Sequence, residues 1–184
     1  MKTGLVLVDI QNDYFAGGSM ELVGMDAAAG KASAVLAYFR ERNLPVYHVQ
    51  HLSTRPGATF FIPGTDGAAT HASVTPEKGE SLIQKNFPNS FRETTLLETL
   101  RDDTIEELVI CGAMSHMCID ATTRAAFDLG FSCTVISDAC ATRDLQFEGK
   151  SVPAKDVHAA FMAALAVPYA SVVSAADLTT GGRS

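Results

Sequence analysis

The chain alternates between short apolar runs and longer segments in which apolar residues recur every three or four positions. The runs GLVLVDI (4–10), LPVYHVQH (44–51), SLIQK (81–85), ELVICG (107–112), SCTVIS (132–137) and ASVVS (170–174) predict strands. Several are continuous rather than alternating, as in parallel strands covered on both faces. Helices are predicted over 26–42 (Ala27, Val35, Leu36, Phe39, with Asp26 as N-cap) and 94–101 (Leu96, Leu97, Leu100). Two more are predicted over 117–129 (Ala121, Ala125, Ala126, Leu129, stopped by Gly130) and 155–166 (Val157, Phe161, Met162, Leu165). Strands alternating with helices predict a doubly wound α/β sheet. Segments 52–80 and 138–154 predict long loops, which in compact domains carry function or subunit contacts.

Composition narrows the partners. A chain of 184 residues, 47% apolar and 19% charged, fits one globular domain over 1–184. Fourteen basic against twenty-one acidic residues leave a net charge of −7, which argues against nucleic acid and anionic membrane as partners. No apolar run has the length of a membrane span. The N-terminal stretch MKTGLVLVDIQNDYF has one lysine and an apolar run ending at Asp9, and it reads as a first strand rather than a targeting segment. A cytoplasmic location is the expectation. Cysteines stand at 111, 118, 133 and 140, with no C-x-x-C pair, so neither a zinc ribbon nor a thioredoxin-type couple is indicated. Disulfides are not expected in a reducing compartment.

In an open α/β sheet, ligands bind beyond the carboxyl ends of the strands. Asp9 follows LVLV, Lys85 follows SLIQ, Cys118 lies just past LVICG, and Asp138 follows TVIS. Carboxylate, ammonium and thiol are thereby placed to meet at one sheet edge. A helix N-terminus and a nearby ammonium lower a thiol's pKa, and a carboxylate within reach accepts its proton. The turn GAMSHM (112–117) offers backbone N–H groups for an oxyanion. On position alone, Cys118 is equally a small buried hydrophobe, Asp9 a polar strand end, and Lys85 a solvated surface residue. Their joint presence favours chemistry.

The same segments resemble the isochorismatase-like cysteine hydrolases, the superfamily that includes nicotinamidases, N-carbamoylsarcosine amidases and isochorismatases. LVLVDIQNDYFAGGSM resembles that family's first strand and loop, with Asp9 matching its catalytic aspartate. IQKNFPNSFRETTLLETL resembles its lysine segment, with Lys85 matching the catalytic lysine. LVICGAMSHMCIDATTRAAFDLGF resembles its nucleophile segment, with Cys118 matching the nucleophile, and VISDACATRD resembles the strand and loop that follow. The motifs run in order over nearly the whole chain.

The resemblance implies a three-layer α/β/α fold around a six-stranded, mostly parallel sheet. It also implies a non-proline cis peptide at Ala113–Met114, with the N–H groups of Met114 and Cys118 forming the oxyanion hole. It implies a cysteine-dependent amidohydrolase acting on a small-molecule amide through a thioester, and a homo-oligomer, dimer or tetramer. Lys85 would favour the thiolate while Asp9 takes the thiol proton.

Nicotinamidases of this family carry an Asp-x-His pair after the second strand as part of a metal site. Here the region reads HVQHLSTRPG, with Gln50 and Ser53 near the ligand positions. His48, His51 and His71 remain, and with no carboxylate beside them they read as pocket or structural residues rather than zinc ligands. No metal and no cofactor are expected. Phe15, Phe60, Phe61 and His116 are candidate substrate-binding residues, with core packing the alternative for each aromatic and a surface turn for His116. Cleavage of a vinyl ether is the alternative reaction, and a non-catalytic binding member is a further one. A phosphatase with a first-strand aspartate would need D-x-D, which Asp9, Gln11 and Asp13 do not supply, and DIQNDYF is not a flavodoxin-type phosphate loop.

Overall fold

The structure, a computed structural model, describes residues 1–181. Six strands form one parallel sheet in the order β3-β2-β1-β4-β5-β8. They are β1 (Thr3–Val8), β2 (Val46–His51), β3 (Ser81–Lys85), β4 (Glu107–Ala113), β5 (Ser132–Ala141) and β8 (Ser171–Val173). The continuous apolar runs are the central strands: β1 is buried from Gly4 to Val8 and β4 from Leu108 to Ala113. Two helix groups flank the sheet. Helix α1 (Met25–Glu41) packs with α5 (Ala175–Thr180), and α3 (Asp120–Asp128) packs with α4 (Ala154–Leu165). Helix α1 buries Met25, Ala28, Ala29, Ala32, Val35, Leu36 and Phe39, the steps of three and four that put one helical face against the sheet. A fifth helix, α2 (Leu96–Asp102), buries Leu96 and Leu100. Among the described residues, no helix is long and apolar enough to cross a membrane.

The structure departs from the sequence expectation in three places. Strand β5 runs on through DACA to Ala141, because Cys140 and Ala141 pair with Gly112 and Ala113 beyond a register shift in β4. The expected loop 138–154 therefore begins as strand, and it continues as a hairpin of β6 (Leu145–Phe147) and β7 (Lys150–Val152). Glu148 (φ 48°) and Gly149 (φ 77°) supply the two left-handed positions of its turn. Helix α5 went unpredicted since six residues carry little periodicity. It is fixed by a capping box, with the Ser174 hydroxyl accepting from Asp177 N and the Asp177 carboxylate accepting from Ser174 N. Asp26 lies in the first turn of α1, where its charge opposes the helix dipole, and Gly24 takes the N-cap.

Sheet order reverses at β1, so the crevice beyond the carboxyl ends of β1 and β4 is where side chains can gather. Gly112 closes this point. It has φ +130°, and a Cβ there would lie 1.9 Å from the Val8 carbonyl oxygen. At the far edge, Glu80 accepts from Arg40 and pairs with His48 Nε2 at 2.8 Å. Burial opposes Glu80 ionisation, but the bonds from Arg40, the Glu77 N–H and His48 outweigh it and bring its pKa to about 2.

Two stability predictions result. Gly112→Ala, pressed against backbone and held at positive φ, should lose about 4 kcal/mol or more, read by urea denaturation. Because the Glu80 pKa is depressed on folding, its contribution is complete above pH 4.5 and is lost as pH falls towards about 2. Glu80→Gln should flatten that acid limb in a series of denaturation curves, and an unchanged limb would refute the assignment.

Candidate active site

Three strand ends and one turn converge. Asp9 directly follows β1, His51 ends β2, Lys85 ends β3, and Cys118 sits in a one-turn π-helix, Ser115–Ile119, between β4 and α3. Asp9 has φ 53°, a left-handed position that aspartate tolerates better than most residues. Its N–H bonds the Val49 carbonyl, and its own carbonyl accepts from Gln11 N. Gln11 in turn clamps His51, accepting from its N–H at 2.8 Å and donating to its carbonyl at 2.9 Å. Asp13 accepts from Ser19 N and Phe61 N, tying the loop after β1 to the segment around residue 60. Neither Gln11 nor Asp13 stood out in the sequence, where both were polar neighbours of a strand end.

The Lys85 ammonium is the centre. Its Nζ lies 2.8 Å from Asp9 Oδ2, 2.9 Å from His51 Nδ1, 3.0 Å from the Phe87 carbonyl and 3.2 Å from Cys118 Sγ. An ammonium carries three protons. Four acceptors share them: His51, the Phe87 carbonyl and Cys118 by hydrogen bond, and the fully buried Asp9 carboxylate through the closest contact, an ion pair. Burial disfavours the Lys85 charge, but Asp9 and then Cys118 more than restore it, so its pKa is raised and it is an ammonium. An ammonium only donates, so His51 Nδ1 accepts and Nε2 carries the proton. Burial, and then Lys85, lower the His51 pKa to about 4, so the ring is neutral.

Cys118 differs from expectation. Burial and then the Asp9 charge raise its pKa, and Lys85 and the helix entry do not overcome them. The thiol rests protonated, with the Asp9 carboxylate inside the same 4.8 Å cluster. Cys111, Cys133 and Cys140 are also buried and raised in pKa, and none of the three lines the cavity described below.

The peptide bond Ala113–Met114 is cis, at the position the resemblance implied. Among the described residues, Met114 N–H donates to no other backbone group, while Met117 N and Ile119 N both bond the Met114 carbonyl. Ser115 anchors the turn through the Ala141 carbonyl and His158 Nδ1.

Cys118 and Met114 open onto a cavity of about 490 Å³. Tyr14, Phe60 and Phe87 wall it, Met117 adds a thioether, and Ser53, Thr54 and Arg55 lie on its loop side. Thr122 bonds Ser90 and the Pro88 carbonyl, which holds the Phe87–Pro88 segment against α3. Of the four expected substrate-binding residues, Phe60 alone lines the cavity. Phe15 stacks on His71 at 3.6 Å between ring centroids, Phe61 is fully buried against Tyr14 and Phe60, and His116 bonds Thr142 beside Phe161. Tyr14, His51, Arg55 and Phe87 are among the lining residues that sequence reasoning passed over or left open. Only His51 had a signal, its place at a strand end. Asp138 is elsewhere, accepting from Ala175 N at the start of α5.

The three histidines do separate work. His48 belongs to the Glu80 network, His71 caps a turn beside Phe15, and His51 holds Lys85. Asp9, His51 and Cys118 offer donor atoms within 4.8 Å of one another, as a metal site would. The cation they hold is Lys85 Nζ, within 3.2 Å of each residue, so a metal ion would have to displace it.

Residues 3–177 match the model of the Isochorismatase domain. The chain belongs to the isochorismatase family. The isochorismatase family protein YddQ of Bacillus subtilis is 51% identical over 94% of this chain and 96% of its own. An isochorismatase-type crystal structure from Oleispira antarctica superposes with TM-score 0.94 at 54% identity, covering 98% of this chain and 97% of that one. The secreted isochorismatase effector Isc1 of Verticillium dahliae is 32% identical over 95% of this chain and 88% of its own. The Escherichia coli nicotinamidase is 25% identical over 77% and 84%. The isochorismatase family is a family of hydrolases, some acting on amides.

The geometry predicts the behaviour of the thiol. Alkylation of Cys118 by iodoacetamide, followed by mass spectrometry, should show a pH midpoint above the ordinary thiol value of 9.0. Lys85→Met should move it higher still and, by stranding a buried carboxylate, cost about 3–5 kcal/mol of stability. A midpoint below 9 in the unliganded protein would contradict the protonated resting state.

Proposed function

We propose that this protein is a cysteine-dependent amidohydrolase acting on a small amide, with Cys118 as nucleophile, Asp9 as proton acceptor and donor, and Lys85 as electrostatic organiser. The observation that carries the reading is the Cys118 thiol on the cavity wall, 3.2 Å from the Lys85 ammonium and in one 4.8 Å cluster with the buried Asp9 carboxylate. A carboxylate has lone pairs beyond the one facing the ammonium and can take the thiol proton.

The steps follow from this arrangement. Substrate seals the cavity, and the S–H proton passes to Asp9 as the sulfur forms a bond to the carbonyl carbon. Lys85 stabilises the sulfur's charge during that transfer. The N–H groups of Met114 and Cys118 donate to the developing oxyanion. Asp9-H gives its proton to the leaving nitrogen as the C–N bond breaks, releasing ammonia or an amine and leaving a thioester. Water then loses a proton to Asp9 and attacks the thioester, and the returning proton restores the thiol as the carboxylic acid departs. The resting thiol is consistent with this cycle, since thiolate forms only as the electrophile arrives.

The name and 95% coverage of the Verticillium relative favour a second reading, vinyl ether hydrolysis. That reaction needs an acid at Asp9 and no sulfur nucleophile, so one variant separates the two. With a panel of small amides assayed for ammonia, Cys118→Ala and Asp9→Asn should each lower turnover by at least about a thousandfold while circular dichroism reports an intact fold. Turnover retained in Cys118→Ala would remove the thioester route.

A further inference from the structure

The cavity has one uncompensated charge. The Asp9 carboxylate and Lys85 ammonium cancel, the Cys118 thiol is protonated and the His51 ring is neutral. Among the residues lining the cavity, only Arg55 then carries charge. Its side chain is exposed, and among the described residues it forms no ion pair, no hydrogen bond and no cation–π contact. Most of the chain's other arginines are engaged: Arg40, Arg42, Arg92 and Arg124 each pair with a carboxylate, and the last three also lie over an aromatic ring. On a chain of net charge −7, a free guanidinium on the wall of an otherwise uncharged, mainly apolar cavity is a local reversal of sign.

We propose that Arg55 is a specificity-determining residue that receives a carboxylate borne by the substrate, whose amide end reaches Cys118. The substrate class is a monoanionic amide with an apolar or aromatic body. The planar fork of one guanidinium matches the two oxygens of one carboxylate. A phosphate dianion would leave a surplus negative charge that no second cation on the cavity wall meets. Tyr14, Phe60 and Phe87 suit the apolar body between the two ends. The amide end of this inference rests on the amidase reading above, and the anion subsite does not.

The test uses matched pairs that differ only in the charged end: glutaramate against pentanamide, and 3-carbamoylbenzoate against 3-methylbenzamide. With wild-type protein the carboxylate member should have about tenfold higher kcat/KM, a ratio that falls with added salt. Arg55→Gln should bring the ratio to about one, chiefly through KM, and Arg55→Lys should restore part of it. A wild-type ratio of one or below, or a ratio unmoved by Arg55→Gln, overturns the proposal. Calorimetric binding of the same pairs to Cys118→Ala protein needs no turnover. Preferential carboxylate binding without ammonia release by the wild type would keep the anion subsite and sink the amidase reading. Ammonia release without charge preference would do the reverse, and no binding of either member with no ammonia release would count against both.

Discussion

Lys85 and Asp9 are both removed from water, and neither charge is tolerable there without the other. That requirement shapes what surrounds them. The ammonium needs acceptors for its three protons, and the chain supplies them from separate elements: an imidazole from the end of β2, a carbonyl from the loop after β3, and a sulfur from the turn after β4. The elements must arrive in register for the set to close, and the parallel pairing His51–Lys85 between β2 and β3 does this directly. The residues that brace the site are polar and buried for the same reason. Gln11 fixes the backbone of His51, Asp13 fixes the loop that carries Phe60 and Phe61, and Ser115 fixes the turn that carries Cys118.

The same pair decides the state of the thiol. A cysteine near an ammonium is commonly a thiolate. Here the ammonium is already neutralised by Asp9, so what reaches Cys118 is close to a dipole, and burial prevails. The consequence is a protonated thiol held with a carboxylate and an ammonium in one cluster, which in the proposed amidase reading becomes a nucleophile only when a carbonyl enters the cavity. This also bears on metal binding. Asp9, His51 and Cys118 have the spacing of a ligand set, and the protein fills their centre with its own cation.

The surface of the cavity comes from different parts of the chain than the reactive groups. Asp9, His51 and Lys85 stand at strand ends, and Cys118 on the π-turn that follows β4. Most of the lining comes from the loop after β2, from the segment after β3 and from Tyr14.

The sequence by itself determined the sheet, because continuous apolar runs stay dry only as central parallel strands, and the periodicity of α1 leaves one face for burial. It also placed Asp9, Lys85 and Cys118 at one edge, since each follows an apolar run, but the same signal pointed to Asp138, which the fold uses at the start of α5 instead. Short elements escaped it. The β6–β7 hairpin and α5 are held by a turn and a capping box, and neither leaves a period to read. Only the tertiary structure decided which aromatics face the cavity. Phe15, Phe60 and Phe61 are alike in composition and position, and their fates follow from contacts with His71, Tyr14 and each other. It alone decided the protonation of Cys118 and the isolation of Arg55. Both depend on burial and on the distances between charges far apart in the chain, and no local pattern encodes those.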